Sequence, residues 1–249
     1  IAMSDCVNHN NIQKQYDVII IGAGIAGLTA ALELAKVGKQ VLVLDAQDES
    51  KVGGLARSAF GGMALIGTPE QKRSGITDNA EIALNDWLSF ANFSDQDILP
   101  KQWAKLYVEQ SYQDVYCYIK KLGVKFLPAV NWVERGLYSG GNSVPRYHVM
   151  WGTSLELVNK MLTAIVPFKN RNIHFRFNCK IDKLLTSNDT IIGCQDTQNN
   201  QYHGTNTIVA SGGFTGNLAK VKAHWPKHFA PAPDNMLNGT HPSCNGAMH

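Results

Sequence analysis

The sequence predicts an α/β fold in which a parallel sheet is extended by antiparallel strands and interrupted by a helical insertion. Three observations lead to this fold class. A β-branched run near the N-terminus is followed by a glycine-rich turn and a helix of small apolar residues. A second apolar run with an acidic residue at its end comes next. Several short strand-like segments near the C-terminus can return to the same sheet.

The first element is a buried strand, Val18–Ile21, that leads directly into a glycine motif. Gly22, Gly24 and Gly27 have the G-x-G-x-x-G spacing, and the helix predicted over Leu28–Val37 follows. The first glycine permits a tight turn, the second lets a pyrophosphate approach the backbone, and the third lets the helix pack closely. The helix N-terminus would present free N–H groups to a diphosphate.

The second strand, Gln40–Leu44, ends at Asp45, which lies 18 positions after Gly27. A carboxylate at this place can accept hydrogen bonds from the hydroxyls of an adenosine ribose. The combination predicts a Rossmann-type dinucleotide site. The alternative is a tight turn in an ordinary βαβ unit, and Asp45 argues against it.

A second glycine-rich segment, Gly53–Met63, contains two glycine pairs separated by small and apolar residues. The alternative to a functional role is a flexible loop, but the apolar side chains within the segment are too many for a linker. We therefore expect this backbone to lie flat against a bulky ligand. Thr68-Pro69 is expected to break any regular element.

Residues 78–122 are predicted to be helical. Asp78 with Glu81 forms a plausible capping box. Pro100 is expected to open a second helix, and Gly123 is expected to end it. The aromatic stripe in this region is predicted to belong to the core.

The remaining elements are a brief strand, a long loop, one helix and four strands. The loop, Asn131–Gly152, is long enough to be either functional or disordered. Ser211–Asn217 directly follows the last strand, and its glycines allow a second close approach to the same ligand. In chain order the brief strand, the helix and the four strands are Val124–Leu127, Leu155–Val166, Ile173–Phe177, Lys180–Leu185, Thr190–Gln195 and Thr207–Ala210.

Composition excludes several classes of protein. The chain has 249 residues, is 44% hydrophobic and carries a net charge of +3, which favours neither nucleic acid nor an anionic membrane as a partner. Residues 1–15 are polar, lack the apolar core of a signal peptide, and are predicted to form a disordered tail. The glycines in the apolar stretch Val18–Leu34 argue against a membrane span.

The five cysteines are scattered and have no C-x-x-C spacing. They are interpreted as reduced thiols of a cytoplasmic protein, with a disulfide left open. His224, His228 and His241 lack metal-ligand spacing with an acidic partner, so no metal site is expected.

Several stretches together resemble the flavin-binding core of the fumarate reductase and 3-ketosteroid Δ1-dehydrogenase superfamily. The first glycine motif, Asp45, the second glycine segment and Ile208–Gly213 carry the general resemblance. More specific likeness to FAD-binding dehydrogenases lies in Ser58–Gly62, Gly67–Arg73, Asp86–Leu88, Asn131–Gly136, Gly141–His148 and Trp151–Thr153. The likeness covers roughly residues 16–249, which would form one three-layer FAD-binding domain with a helical insertion at about 70–150.

The resemblance implies FAD bound in an extended pose. No histidine lies between Gly53 and Met63, where relatives attach flavin covalently, so noncovalent FAD is expected. The implied contacts are Gly22, Ala23, Gly24, Ala26 and Gly27 for the diphosphate; Asp45 and Ala46 for the ribose; Gly53, Gly54, Leu55, Ala56, Ser58, Gly61 and Gly62 towards the flavin ring; Ile181 for the adenine; and Ala210, Ser211 and Gly212 behind the dinucleotide.

The activity implied by the resemblance is hydride transfer between FAD and an activated C–C bond of a ketosteroid- or fumarate-like small molecule. The electron partner is not identified. Arg146 and His148 are the local candidates for a contact with substrate or flavin, although a structural histidine is the commoner case. No catalytic residue is assigned, because the acid or base usually lies in the other half of such proteins.

Two alternatives remain open. Chains of this superfamily are roughly twice as long, so the substrate cap domain would follow residue 249, and the sequence is expected to be a fragment or a truncated product. It would then be a non-catalytic nucleotide-binding module. A simple NAD-dependent dehydrogenase would share the first glycine motif and Asp45 but would give no reason for the second glycine segment.

Overall fold

A computed structural model of the chain describes residues 16–128, 130, 133, 140–227, 230–233, 244 and 246. The chain divides into two compact units, the first made of residues 1–52 and 167–249 and the second of residues 53–166. The second unit contains the predicted helical insertion and adds residues on both sides of it. The predicted disordered tail, residues 1–15, lies outside the described residues, and the assignment of 16–249 to one domain stays a prediction.

The described chain contains eight strands and seven α-helices, with four of the helices consecutive in its middle and four of the strands consecutive near its end. The strands are β1 (Tyr16–Ile21), β2 (Val41–Leu44), β3 (Gly62–Ala64), β4 (Tyr147–Val149), β5 (Ile173–Arg176), β6 (Ile181–Ser187), β7 (Thr190–Asp196) and β8 (Gln201–Val209). The helices are α1 (Ile25–Lys36), α2 (Pro69–Arg73), α3 (Ala80–Ala91), α4 (Ile98–Gln110), α5 (Tyr118–Lys121), α6 (Thr153–Ile165) and α7 (Leu218–Ala223), with a π-helical segment, Ser111–Cys117, between α4 and α5.

The first unit is built on a six-stranded sheet in the order β5-β2-β1-β8-β7-β6. The pairs β5–β2, β2–β1 and β1–β8 are parallel, whereas β8–β7 and β7–β6 are antiparallel. Ile20 in β1 lies opposite Val43 on one side and Ile208 on the other. The long strand β8 pairs with β7 through its first residues and with β1 through the rest, so it joins the parallel and antiparallel parts.

Alternate residues of β1 point to opposite faces of the sheet and meet different layers. On one face, α1 comes so close that a Cβ added at Gly27 would lie 3.3 Å from Cγ2 of Ile20. On the other face, Ile19 and Ile21 share a buried cluster with Ile181 and other residues of the antiparallel strands. The predicted α/β class, with a parallel sheet and extra antiparallel strands, is confirmed.

The second unit combines helices α2–α6 with a two-stranded antiparallel sheet of β3 and β4. Helices α3 and α4 pack together, and Ala83 and Val108 share a small core with Ile66. Helix α6 buries Leu157 and Met161 on one stripe. Most of the described helices lie in this unit, which agrees with the helical insertion predicted from the sequence.

Two predicted helix signals in the second unit are wrong. Asp78 and Glu81 form no capping box, because Asn79 is the N-cap of α3 and its side chain accepts from the Ile82 N–H at 2.9 Å. Thr68 does not break regular structure; it caps α2 in a capping box with Gln71. A Pro at the first helical position lacks an N–H that would have no partner there, so Thr-Pro opens this helix.

Other boundaries also differ from the predictions. Helix α4 begins at Ile98, so Pro100 lies within its first turn, and the helical run ends at Lys121, close to the predicted Gly123. The predicted strand Val124–Leu127 is only a single bridge between Phe126 and Met150. Strands β3 and β4 were missed because each has three residues and lies in a glycine-rich stretch. No described helix is both long and apolar enough to cross a membrane.

Candidate functional site

The space around the three glycines of the first motif explains why each position lacks a side chain. Gly22 has φ +109°, and a Cβ there would lie 2.4 Å from the carbonyl oxygen of Ala210. A Cβ on Gly27 would lie 1.9 Å from the carbonyl oxygen of Gly22. At Gly24, by contrast, a Cβ would meet no heavy atom within 4 Å. Gly22 and Gly27 are therefore required by the fold, whereas Gly24 leaves open space in front of the backbone.

The N-terminus of α1 faces this open space without a side chain to satisfy its N–H groups. Gly24 is the N-cap residue, no side-chain cap bond is formed, and the first turn contains no acidic residue. Helix N-termini carry about half a positive charge, and their unbonded N–H groups favour an anion. A diphosphate fits this cradle because it supplies both negative charge and hydrogen-bond acceptors.

Asp45 lies at the carboxyl end of β2, beside the glycine turn. Its Oδ2 accepts from the Ala23 N–H at 2.6 Å, and its Oδ1 accepts from the Gln47 N–H at 2.8 Å. Two backbone donors therefore hold the carboxylate in place. Each carboxylate oxygen has a further lone pair, so the group can still accept from ribose hydroxyls. Ala46, the next residue, is exposed.

The segment after β8 lies against the glycine turn. The Ala210 N–H donates to the Ile21 carbonyl at 2.8 Å, and the approach of Gly22 to Ala210 and Ser211 leaves no room for a side chain. Gly212 has φ +78°, and a Cβ there would meet no heavy atom within 4 Å. The two turns therefore lie side by side in the first unit.

The second glycine segment belongs to the second unit, and three of its glycines are explained by packing within that unit. An added Cβ would lie 2.7 Å from the Val158 side chain at Gly53 and 2.7 Å from the backbone nitrogen of Ser154 at Gly61. At Gly62 it would overlap the Tyr147 ring. The expectation that this backbone lies flat against a bulky ligand stays a prediction, and the structure shows that these three glycines also permit close packing in their own unit.

Between these glycines the chain forms a short 3₁₀ helix, Gly54–Ser58, whose side chains are largely uncovered. Leu55 is 44% exposed, and Phe60, just beyond it, is 59% exposed. Ala56 is half-buried and Ser58 is exposed. The prediction that this segment and the first glycine motif line a single trough stays a prediction.

Ile181 lies on the edge strand β6, as predicted, but its side chain is only 4% exposed and packs in the core with Ile19 and Cys194. A predicted adenine contact at this position would therefore use the strand's backbone and not the side chain. The inward direction of the Ile181 side chain follows from the pleat of the strand.

Arg146, a candidate for a substrate contact, is buried between two carboxylates. Its Nε and Nη2 donate to Asp78 at 2.9 and 2.8 Å, and its Nη1 donates to Asp86 at 2.6 Å and to Asn142 at 2.9 Å. Its side chain is 3% exposed. This geometry favours a structural role over the predicted substrate contact, because four hydrogen bonds already hold the guanidinium.

His148 is likewise engaged within the protein. Its Nδ1 lies 2.6 Å from the Arg146 carbonyl oxygen, which can only accept, so Nδ1 carries the proton. Its Nε2 then accepts from the Thr68 hydroxyl at 2.6 Å. Burial lowers the pKa of His148 below 6.5, and the bond to Arg146 opposes that shift only in part. A neutral, buried imidazole of this kind favours the structural interpretation.

The sequence pattern predicted no role for Asp86. For Asp78 it predicted a capping role, whereas the structure shows an ion pair. Both acids anchor Arg146, and Gln71 donates to Asp78 at 2.8 Å. Asp86 is a carboxylate within a largely apolar helix, and a partly buried charge of this kind needs a partner. Its partner, Arg146, lies 60 positions later, just before β4, and no local pattern identifies it.

The described part of the chain contains both potential metal ligands and cysteines. No group of three or more potential metal ligands occurs among the residues that the structure describes. Cys117, Cys179, Cys194 and Cys244 are free thiols. His228 and His241, at which no metal site is expected, lie outside the described residues.

Comparison with known proteins agrees with this geometry. Residues 17–249 match the family model described as FAD binding domain. A KsdD-like steroid dehydrogenase of Mycobacterium tuberculosis is 36% identical over 99% of this chain and 47% of its own length. A fumarate reductase (cytochrome) of Shewanella frigidimarina is 27% identical over 82% of this chain and 34% of its own length. The chain thus spans about half or less of these curated relatives.

Solved structures show the same fold. The crystal structure of 3-ketosteroid-delta4-(5alpha)-dehydrogenase from Rhodococcus jostii RHA1 superposes with a TM-score of 0.76 and 21% identity. The match covers 98% of this chain and 54% of that one. At this identity the likeness concerns the fold alone.

Proposed function

We propose, on the premise that this chain belongs to the FAD binding domain family, that it is the FAD-binding part of an oxidoreductase acting on a ketosteroid-like substrate. The reaction would be hydride transfer between FAD and an activated C–C bond. The observation that carries the proposal is the uncapped N-terminus of α1 behind the open backbone at Gly24.

The residues of the first unit would hold the adenosine diphosphate part of FAD. Gly22–Gly27 would bind the diphosphate through the N–H groups at the start of α1, and the Asp45 carboxylate would accept from the ribose hydroxyls. Ala210–Gly212 would lie behind the dinucleotide. When bound, the flavin supplies the acceptance and donation of hydride.

The second glycine segment would continue the path towards the flavin ring. The exposure of Leu55 and Phe60 supports this part of the proposal, since apolar side chains beside a glycine-rich backbone suit a flat aromatic ring. No histidine occurs in this segment, so the proposed attachment is noncovalent.

The first test concerns the cofactor. The purified chain, mixed with FAD and passed over a desalting column, is expected to retain yellow colour and flavin absorbance. FAD is expected to raise the melting temperature more than NAD at equal concentration. A protein that stays colourless and gains no stability from FAD would contradict the proposal.

The second test concerns the substrate. The steroid dehydrogenase relatives favour a ketosteroid, and the fumarate reductase relatives favour a dicarboxylic acid as second candidate. In the natural protein purified from its source, a saturated 3-ketosteroid is expected to bleach the flavin, and succinate is not. Bleaching by succinate alone would select the second candidate. The electron partner is left open in this proposal.

A cytoplasmic location is also part of the proposal. It rests on the four free thiols of the described chain, a state typical of reducing compartments. Cell fractionation with an antibody against the chain tests it, and recovery in an exported fraction would contradict it.

A further inference from the structure

A cleft of about 460 Å³ opens between helices α3 and α4 in the second unit. Ala83, Trp87, Phe90 and Tyr107 provide apolar and aromatic walls, and Asp86 and Arg146 lie at its polar end. At about 30 Å³ per water molecule the volume corresponds to roughly fifteen waters, enough for a ligand of two fused rings. Small-molecule sites have this combination of apolar walls and few polar groups.

The polar end of this α3–α4 cleft contains two negatively charged groups and one positively charged group. One guanidinium, Arg146, lies between two carboxylates, so the cluster with Asp78 and Asp86 carries one net negative charge. Asp78 is fully buried and is held by Arg146 and Gln71. Asp86 retains a 13% exposed side chain and lines the cleft. A ligand therefore meets the negative charge at Asp86.

The two oxygens of Asp86 differ in what they bind. Oδ2 accepts three hydrogen bonds, from the Ser143 N–H at 2.8 Å, the Ser143 hydroxyl at 2.9 Å and Nη1 of Arg146 at 2.6 Å. Oδ1 accepts none from the residues that the structure describes. Burial raises the pKa of Asp86, but these hydrogen bonds outweigh it and hold the pKa below its ordinary value. The carboxylate is thus ionised and has one oxygen available.

We propose that the α3–α4 cleft binds a small organic cation, an amine carried on an aromatic or fused-ring body. The ammonium would donate to Oδ1 of Asp86, and the ring body would lie between Trp87 and Phe90. Aromatic faces attract cations, so the walls and the carboxylate favour the same ligand charge. The site lies wholly in the second unit and needs no flavin.

Three probes that share one ring system test the charge preference: naphthylmethylamine, naphthylmethanol and naphthoate. Isothermal titration of the 249-residue chain is expected to show the amine binding at least about fivefold more tightly than the alcohol, with naphthoate weakest. Equal affinity for the three probes, or no saturable binding of the amine, would overturn the proposal.

Two variants separate the charge from the walls. Asp86→Asn is expected to weaken amine binding by about tenfold or more and to leave the alcohol nearly unchanged, because a charged acceptor is lost. Phe90→Ala is expected to weaken both probes. Leu99→Ala serves as the matched control, since Leu99 is 66% exposed and Phe90 52%, and Leu99 lies outside the cleft.

The outcomes remain decisive if one variant folds poorly. Phe90→Ala touches no ion pair, so it tests the site even if Asp86→Asn lowers stability. Unchanged amine binding in Phe90→Ala, or an equal loss in Leu99→Ala, would exclude the cleft as the site. Flavin absorbance after FAD loading is expected to be equal in all variants, which keeps this result separate from the proposed function.

Discussion

Arg146 and Asp78 form a buried two-point ion pair, in which Nε and Nη2 of the arginine donate to the two carboxylate oxygens at 2.9 and 2.8 Å. The side chains are 3% and 0% exposed. The pair joins Asp78, two residues before α3, to Arg146, the residue before β4 and 68 positions later. It therefore connects the helical and strand parts of the second unit.

Removing this guanidinium is expected to destabilise the second unit strongly. Arg146→Met leaves the buried Asp78 carboxylate without its counter-charge, which costs about 3–5 kcal/mol of unfolding free energy. Urea denaturation measures the loss. Lys36→Met, which removes an exposed pair with Glu33, is the control and is expected to cost less than about 1 kcal/mol. Similar losses in both variants would show that Arg146 does not anchor the unit.

Two alanine substitutions in the first glycine motif are expected to have different effects, one on FAD binding and the other on stability. Gly24→Ala places a methyl group in open space, so the fold should lose less than about 1 kcal/mol while FAD binding is blocked. Gly27→Ala forces a Cβ against the Gly22 carbonyl oxygen and is expected to cost about 1–3 kcal/mol or more. Thermal melts without cofactor and FAD titrations measure the two effects separately. Normal FAD binding by Gly24→Ala would mean that the diphosphate lies elsewhere.

The Asp45 carboxylate is expected to contribute to FAD affinity through its charge. Asp45→Asn keeps the shape and one acceptor oxygen but should weaken FAD by about tenfold, since hydrogen bonds to charged acceptors are the stronger ones. Fluorescence titration with FAD measures the change. Asp48→Asn, three positions later in an exposed turn, is the control. Unchanged affinity in Asp45→Asn would remove the ribose assignment.

Stability is expected to fall in mild acid because of His148. Its pKa is lower in the folded protein than the ordinary 6.5, so the unfolded chain binds the proton more readily. The contribution of His148 is complete above about pH 6.5 and is lost as the pH falls from there through the lower folded value. Unfolding free energies measured between pH 8 and pH 5, roughly the range in which histidine titrates, should show this decrease.

The test of that assignment is the His148→Gln variant. It is expected to flatten the decrease, because the buried titrating group is gone. An equally steep slope in His148→Gln would assign the acid sensitivity to other groups.

The first unit could be predicted in detail because its signals are local. The run Val18–Ile21, the glycine spacing and Asp45 lie within 28 consecutive residues. Buried strands, tight turns and helix starts each depend on neighbouring residues, so a linear pattern is sufficient. Helix α1 begins at Ile25, three residues before the start predicted at Leu28.

The second unit could be predicted only in outline. Its short strands β3 and β4 are held by pairing between distant segments, such as Met63 with His148, and not by propensity. The sequence predicts Asp78 to be a capping residue, because a carboxylate can either cap a helix or form an ion pair. Only the position of Arg146, brought there by the fold, decides between them.

The amino-acid sequence alone therefore determined the fold class and the places of the first glycine motif and of Asp45 in the first unit. These follow from steric and hydrogen-bonding needs that operate over a few residues. Tertiary structure decided which glycines face open space and which face protein, and that Arg146 and His148 are committed to internal partners. Those outcomes depend on which distant atoms are brought into contact, and no short stretch of the chain contains that information.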